Sequence, residues 1–279
     1  MAKKIPKLRI LPLSDLVPHE RHDAQRAQPL AGRLKASGML RNPPVVTPLK
    51  DGSGRYVVLD GANRVAAFKQ LGLAHILVQV IASGKKGLKL KKWNHVLWGW
   101  EPKALLAAVG QIPDIRLQEV DPELRRSQSD WPAKTLVWLQ TVDGQAHVVR
   151  SLASDLSSQV HELARIAQTY VDAAHVDRTT AQRVSELGGI YEGLTAIVVY
   201  PPFTVEQVLK LCAQGVLLPS GVTRFTIKPR ALRVNYPLDA LSADEDLDAK
   251  NEALKAWISA RMARKGVRYY AEPTVLYDE

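Results

Sequence analysis

A run of β-favouring residues, Arg55-Tyr56-Val57-Val58-Leu59, stops at Asp60-Gly61, and a helical pattern begins at Ala62. A strand that gives way to a helix across two residues is the joint of an α/β fold; packed layers of helices alone or strands alone have no use for it. Upstream, Asp51-Gly52-Ser53-Gly54 is a hairpin signal that joins this strand to a proline-headed one at Asn42–Thr47. Downstream, Val65, Phe68 and Leu71 recur at helical spacing, and Gly72 is a natural stop. His75–Ile81 reads as the next strand and Lys7–Leu13 as an earlier one. Residues 24–37 read as a helix closed by Gly38, with Pro29 inside it. Residues 7–82 thus form a compact α/β unit.

The turn also carries chemistry. A helix N-terminus offers backbone N–H groups without intrahelical partners and a partial positive charge. Gly61 lets a ligand approach the backbone. Arg64, in the first turn, can hold a phosphate in bidentate fashion, and Asn63 adds a neutral hydrogen bond. The same pattern also fits a plain joint, with Asp60 as the helix cap and Arg64 as a surface charge. The bare pattern leaves both readings open.

Charge points to an anionic ligand in the first third of the chain. Residues 1–92 hold 18 Lys and Arg against 5 Asp and Glu, a net of +13, while the rest holds 20 against 23, a net of −3. Such asymmetry suits a nucleic acid or a phosphorylated small molecule. The one cysteine, Cys212, excludes an internal disulfide framework and a cysteine-cluster metal site. No apolar run approaches the roughly 18 residues needed to cross a bilayer, and the basic N-terminus is not followed by the apolar stretch of a secretory signal. A cytoplasmic protein with no membrane partner is expected.

Residues 84–92 read as a basic linker, and Lys85, Lys86, Lys89, Lys91 and Lys92 as a solvated run without interleaved aromatics. Beyond it, Leu136–Leu139 and His147–Val149 flank Asp143-Gly144 as a hairpin. Helices are predicted at 153–172, 176–187, 204–214 and 243–264. Strands are predicted at 196–200 and 223–227, with a further strand at the C-terminus.

Residues 8–81 resemble the ParB/sulfiredoxin-like domain in Leu13-Ser14-Asp15-Leu16, Pro18-His19-Glu20, Gly38–Pro43 and Val58–Ala67. The expected architecture is α/β (α+β): a ParB/sulfiredoxin-like domain at 1–83, the linker at 84–92 and a second α/β domain at 93–279. Sulfiredoxins place a reactive cysteine in the turn; Ala62 stands there, so no thiolate nucleophile is present. ParB-type partition proteins bind a nucleoside triphosphate and add a helical DNA-binding domain. Only Thr179–Val184 resembles the start of a helix-turn-helix, and the C-terminal part lacks the positive charge that phosphate contacts require. A ParB-like, nucleotide-dependent DNA-binding regulator is the alternative reading, and the charge distribution argues against nucleic acid as a partner.

Over nearly its whole length the chain resembles the free L-serine kinases. The shared features are His19-Glu20, the Asp60 turn, Trp93-x-His95 and Pro219-Ser220-Gly221-Val222-Thr223-Arg224-Phe225, the last resembling the siderophore-associated members. That resemblance implies ATP or ADP as phosphoryl donor, Mg²⁺, and L-serine or a related hydroxy amino acid as acceptor. It implies Glu20 and Asp60 as catalytic carboxylates, one accepting the serine proton, the other orienting the hydroxyl or helping to hold Mg²⁺. It implies Arg41, Asn42, Gly61, Ala62, Asn63 and Arg64 around the phosphates, and Trp93, His95, Thr223 and Arg224 around the amino acid. Asn63 departs from the pattern, because those kinases carry histidine there; asparagine can donate to a phosphate but carries no charge. His19 and His22 are three apart rather than four, the wrong spacing for a zinc helix motif. Mg²⁺ is therefore expected to arrive with the nucleotide, Asp60 being its one candidate protein ligand. Cys212 is expected to be a packing residue.

Overall fold

In a computed structural model, residues 5–21, 24–84, 87–123, 131–187 and 189–270 are described. The first third runs β1 (Lys7–Pro12), β2 (Leu16–Pro18), α1 (Ala24–Ser37), β3 (Met39–Leu40), β4 (Val45–Pro48), β5 (Tyr56–Asp60), α2 (Ala62–Gln70) and β6 (His75–Val80). Five of these strands make a mixed sheet in the order β1-β6-β4-β5-β2. The β4/β6 and β2/β5 pairs are parallel, the others antiparallel.

Side chains alternate along a strand, so β5 sends Val58 to one face and Val57 and Leu59 to the other. Val58 joins Val46, Ile76, Val65 and Phe68 in one core. Val57 and Leu59 join Val45 and Ile81 in a second core that continues into the later strands. The sheet is buried on both faces, which is why its strands read as nearly continuous apolar runs. Phe68 is fully buried at the base of α2, where truncation to alanine costs about 3–5 kcal/mol through the cavity left behind.

The remainder runs β7 (Leu88–Lys92), β8 (Asn94–Trp98), α3 (Pro102–Gly110), β9 (Ile115–Glu119), β10 (Thr135–Thr141), β11 (Ala146–Ser151), α4 (Leu156–Val171), β12 (His175–Thr179), β13 (Leu194–Val199), α5 (Val205–Ala213), β14 (Thr223–Ile227), β15 (Tyr236–Pro237), α6 (Asp239–Ser242) and α7 (Leu247–Ala263). Six strands form an antiparallel sheet, β12-β8-β13-β10-β11-β9, and two ribbons pair β14 with β7 and β15 with β3. The expectation of a mixed α/β architecture holds.

Three local expectations are corrected. Residues 88–92 are a strand, in which Leu88 and Leu90 lie opposite Ile227 and Phe225 of β14. The Leu-Lys alternation is a strand pattern that the charge disguised. Lys92 is buried rather than solvated, and its ammonium donates to the Tyr200 carbonyl at 2.5 Å. The helix expected at 176–187 does not form. Val176 and Thr179 are β-branched, and the segment instead pairs antiparallel with β8, leaving only a short 3-10 turn at Val184–Leu187. The residues read as a helix-turn-helix start are thus the end of an edge strand and a loop. His22, Lys85, Lys86 and the expected C-terminal strand fall, wholly or in part, outside the described residues.

The last described helix returns to the first sheet. Leu254, Trp257 and Ile258 of α7 pack into the core that holds Phe68. Asn251 accepts from the Ile10 N–H at 3.0 Å and donates to the Ile10 carbonyl at 3.1 Å, as a neighbouring strand would. Among the described residues, no helix is long and apolar enough to cross a membrane.

Candidate active site

The Asp60 turn is built around Gly61, which caps α2 in the left-handed region at φ 92°. A β-carbon there would lie 3.1 Å from Pro44 and from the Arg64 guanidinium carbon, so both backbone shape and space call for glycine. No side chain caps the helix, so the first-turn N–H groups remain available to a ligand. Asp60 is therefore not a cap. Its Oδ2 accepts from Arg64 Nη2 at 2.9 Å and also from Arg230. Burial alone would push the Asp60 carboxyl up, but the two guanidinium groups hold it below the usual aspartate value. Arg64 donates further to the Asn42 carbonyl at 2.5 Å. The Nε–H of Arg230 is buried without a hydrogen-bond partner among the described residues.

Glu20 reaches the site through backbone pairing. After α5 the chain returns beside residues 19–21: the Leu218 N–H donates to the His19 carbonyl at 3.0 Å, and the Arg21 N–H to the Leu218 carbonyl at 2.9 Å. Loop 219–222 then lies against the Glu20 side chain. Glu20 Oε2 accepts from the Gly221 N–H at 3.2 Å and lies 3.1 Å from the Thr223 hydroxyl. Glu20 Oε1 has no hydrogen-bond partner among the described residues, and the carboxylate is 15% exposed. His19 is buried behind it. Its Nδ1 lies 2.6 Å from the Val58 carbonyl and must donate, because a carbonyl only accepts; its Nε2 lies 2.7 Å from the Thr223 hydroxyl.

These residues face one cleft of about 1190 Å³, lined from both parts of the chain. Among the described residues, Glu20 and Asp60 are its two carboxylates. Seven arginines line it as well: Arg21, Arg33, Arg41 and Arg64 from the first third, and Arg178, Arg224 and Arg230 from the remainder. The basic bias of the first third is therefore partly gathered at one site. Such an excess in a cleft concentrates anions.

Asn42, Gly61, Ala62 and Asn63 line the same cleft, as do Trp93, Thr223 and Arg224. Arg224 lies over the Trp93 ring, 4.4 Å from its centroid. His95 does not line the cleft. It is 3% exposed, and both ring nitrogens are engaged: Nδ1 with the Tyr170 hydroxyl at 2.8 Å, Nε2 with the Gly221 carbonyl at 3.3 Å. Since a carbonyl only accepts, Nε2 carries the proton and Nδ1 accepts from Tyr170, which in turn contacts Tyr200. Burial pushes His95 down to about 4, so it is neutral at ordinary pH. Its place is beneath the loop, holding the carbonyl of the glycine whose N–H donates to Glu20. Cys212 is buried, and burial raises its thiol to about 12, which removes it from nucleophilic chemistry.

Arg230, Arg178 and Gln79 went unread in the sequence. Gln79 is buried and pins residues 229–231, donating to the Pro229 carbonyl and accepting from the Ala231 N–H, both at 2.8 Å. That clamp delivers Arg230 to Asp60. A glutamine inside the apolar run of β6 was the available signal, because a buried amide needs partners.

The chain is thus an α/β protein with an arginine-lined cleft that also holds Glu20 and Asp60. No family model matches the sequence. It is 26% identical, over 98% of its length and 97% of the relative's, to the ATP-dependent L-serine kinase SbnI of Staphylococcus aureus. The fold is shared with solved structures. A C-terminally truncated SbnI from the same organism superposes with a TM-score of 0.67 at 22% identity, covering 92% of this chain and 97% of that one. A free serine kinase in complex with AMP superposes with a TM-score of 0.70 at 13% identity, covering 86% and 95%.

Proposed function

We propose that this protein transfers the terminal phosphoryl group of ATP to the hydroxyl of free L-serine, giving O-phospho-L-serine and ADP. The observation that carries the proposal is one cleft lined both by an uncapped helix N-terminus with its arginines and by Glu20, whose Oε1 has no hydrogen-bond partner among the described residues. The whole-length similarity to an L-serine kinase supplies the choice of substrate.

The turn from Gly61 to Arg64 and the guanidinium of Arg230 receive the phosphates. Asp60, held between two guanidinium groups, is a poor base; it fixes both arginines for the nucleotide. Glu20 Oε1 accepts the proton of the serine hydroxyl as its oxygen attacks the terminal phosphorus, and the bond from that phosphorus to the bridging oxygen of ADP breaks. Positioning and charge stabilisation then supply most of the rate, as phosphoryl transfer requires.

Mg²⁺ belongs to this reading. Among the described residues no group of three or more His, Cys, Asp or Glu gathers as a metal site. The two cleft carboxylates fit an ion held chiefly by nucleotide phosphates, with Asp60 or Glu20 as its protein neighbour. Bound there, it would neutralise phosphate charge.

Purified protein incubated with Mg²⁺, L-serine and either ATP or ADP, followed by ³¹P NMR, tests the proposal. Phosphoserine should appear with ATP, and its absence with both nucleotides would overturn the reading. A gel-shift titration with random duplex at rising salt addresses the DNA-binding alternative, which requires tight binding with a steep salt slope.

A further inference from the structure

Arg178 is one of the cleft arginines that no sequence motif singled out. It lies on β12, the edge strand of the second sheet, directly opposite His95 of β8. Cross-strand partners share a face of the sheet, and both of these side chains meet Gly221. His95 holds the Gly221 carbonyl from below. Arg178 lies over the α-carbon: a β-carbon built on Gly221 would sit 2.3 Å from Arg178 Nε and 2.8 Å from its Cζ. Gly221 is therefore glycine for two reasons, its φ of 75° and the guanidinium beside it.

The same glycine donates its N–H to Glu20 Oε2. The Arg178 guanidinium and the Glu20 carboxylate thus flank one residue, on the cleft wall that bears Thr223. Arg178 forms no ion pair among the described residues. Its neighbour Asp177 is committed elsewhere, accepting from the Arg178 backbone N–H at 2.7 Å and from the Tyr191 hydroxyl at 3.1 Å. Arg224 is stacked on Trp93, and Arg64 and Arg230 are bound to Asp60. Arg178, like Arg21 and Arg33, lines the cleft with no side-chain ion pair or hydrogen bond among the described residues, and of these three it is the one that flanks Gly221.

We infer that Arg178 binds the α-carboxylate of the acceptor and so makes the enzyme selective for the free amino acid over a serine within a peptide. Two carbons separate the hydroxyl of serine from its carboxylate. With the hydroxyl at Glu20 Oε1, the carboxylate falls within the reach of a group flanking the same glycine. A guanidinium is the side chain that matches a carboxylate with two parallel donors. A seryl residue in a peptide, an ester or an amide presents no anion there and leaves the guanidinium unpaired.

The inference rests on the kinase reading but can fail separately from it. Calorimetric titration of the full chain, saturated with ADP, with L-serine and with L-serinamide reads the carboxylate directly, and turnover with each acceptor is measured alongside. L-serine should bind at least tenfold tighter than L-serinamide. Arg178→Met should remove that preference by weakening L-serine roughly 10- to 100-fold, leaving L-serinamide and ADP affinity unchanged; Arg178→Lys should recover part of it. Equal binding of both acceptors by the wild type overturns the inference. So does a preference that survives Arg178→Met, or an Arg178→Met loss that falls on ADP instead. Selective binding of L-serine without phosphoserine formation would sink the kinase reading and leave the carboxylate site standing. Phosphorylation of both acceptors with equal kcat/KM would do the reverse.

Discussion

The Thr223 hydroxyl lies 3.1 Å from Glu20 Oε2 and 2.7 Å from His19 Nε2, and it has one proton to give. His19 already donates from Nδ1 to the Val58 carbonyl. With neutral His19 and ionised Glu20, both neighbours of Thr223 are acceptors, and one contact goes without a proton. Thr223 bridges the part-buried Glu20 carboxylate and the buried His19 imidazole, and Thr223 acts as a positioning residue for Glu20. Thr223→Val should lower kcat at least about tenfold, the scale of one hydrogen bond to a charged group, with ATP affinity unchanged. Thr223→Ser should restore most of it. Steady-state kinetics with both variants, across pH, checks this.

Glu20→Gln keeps the shape and the Gly221 contact but removes the base. Turnover should fall by roughly 10²–10⁴, the usual contribution of a general base. Calorimetry should find nucleotide binding intact. Loss of nucleotide affinity with turnover spared would assign Glu20 a structural place instead.

Arg64→Ala should weaken nucleotide binding by about 1.5–3 kcal/mol, the range for charge-assisted hydrogen bonds. Asp60 keeps Arg230 as a partner in this variant, so the fold should survive. Calorimetric titration with ATP and with ADP reads the effect.

The acid side of the stability profile should carry His95. Its folded value, about 4, lies below the unfolded 6.5 because it is buried neutral. Between those values the unfolded chain binds the extra proton, so stability falls as pH drops from 6.5 towards 4 and levels off below that. The size is on the order of 3 kcal/mol. Urea midpoints of the wild type and His95→Gln, taken across this window, should differ in slope. Parallel profiles would remove His95 as the cause.

What the sequence disclosed and what it hid follow from the range of the interactions. The strand–turn–helix at Asp60 was legible because a β-run, a glycine and a 3.6-residue apolar period are local signals. The site residues Glu20, Asp60, Arg64 and Thr223 were legible through their motifs, and the structure brings them to one cleft. Arg230 and Arg178 were not, because nothing near them in sequence says that Gln79 clamps the one and that His95 lies across the strand pair from the other. His95 was read as a substrate contact. Only the tertiary partners, Tyr170 below and the Gly221 carbonyl above, show that it supports the loop. The strand β12 was mistaken for a helix because its pairing partner lies some eighty residues away in sequence.

The return of α7 to β1 has a consequence for synthesis. The core around Phe68 is completed by Tyr236, Leu241 and Leu254, so the Asp60 turn stands on an unfinished base while the middle of the chain is being made. At about 5–20 residues per second, roughly 170 residues separate β6 from α7, a delay on the order of 10–30 s on the ribosome. During that interval the nascent first third displays Ile10, Leu11 and their neighbours uncovered, and a chain that stalls before Asn251 is a client for chaperones.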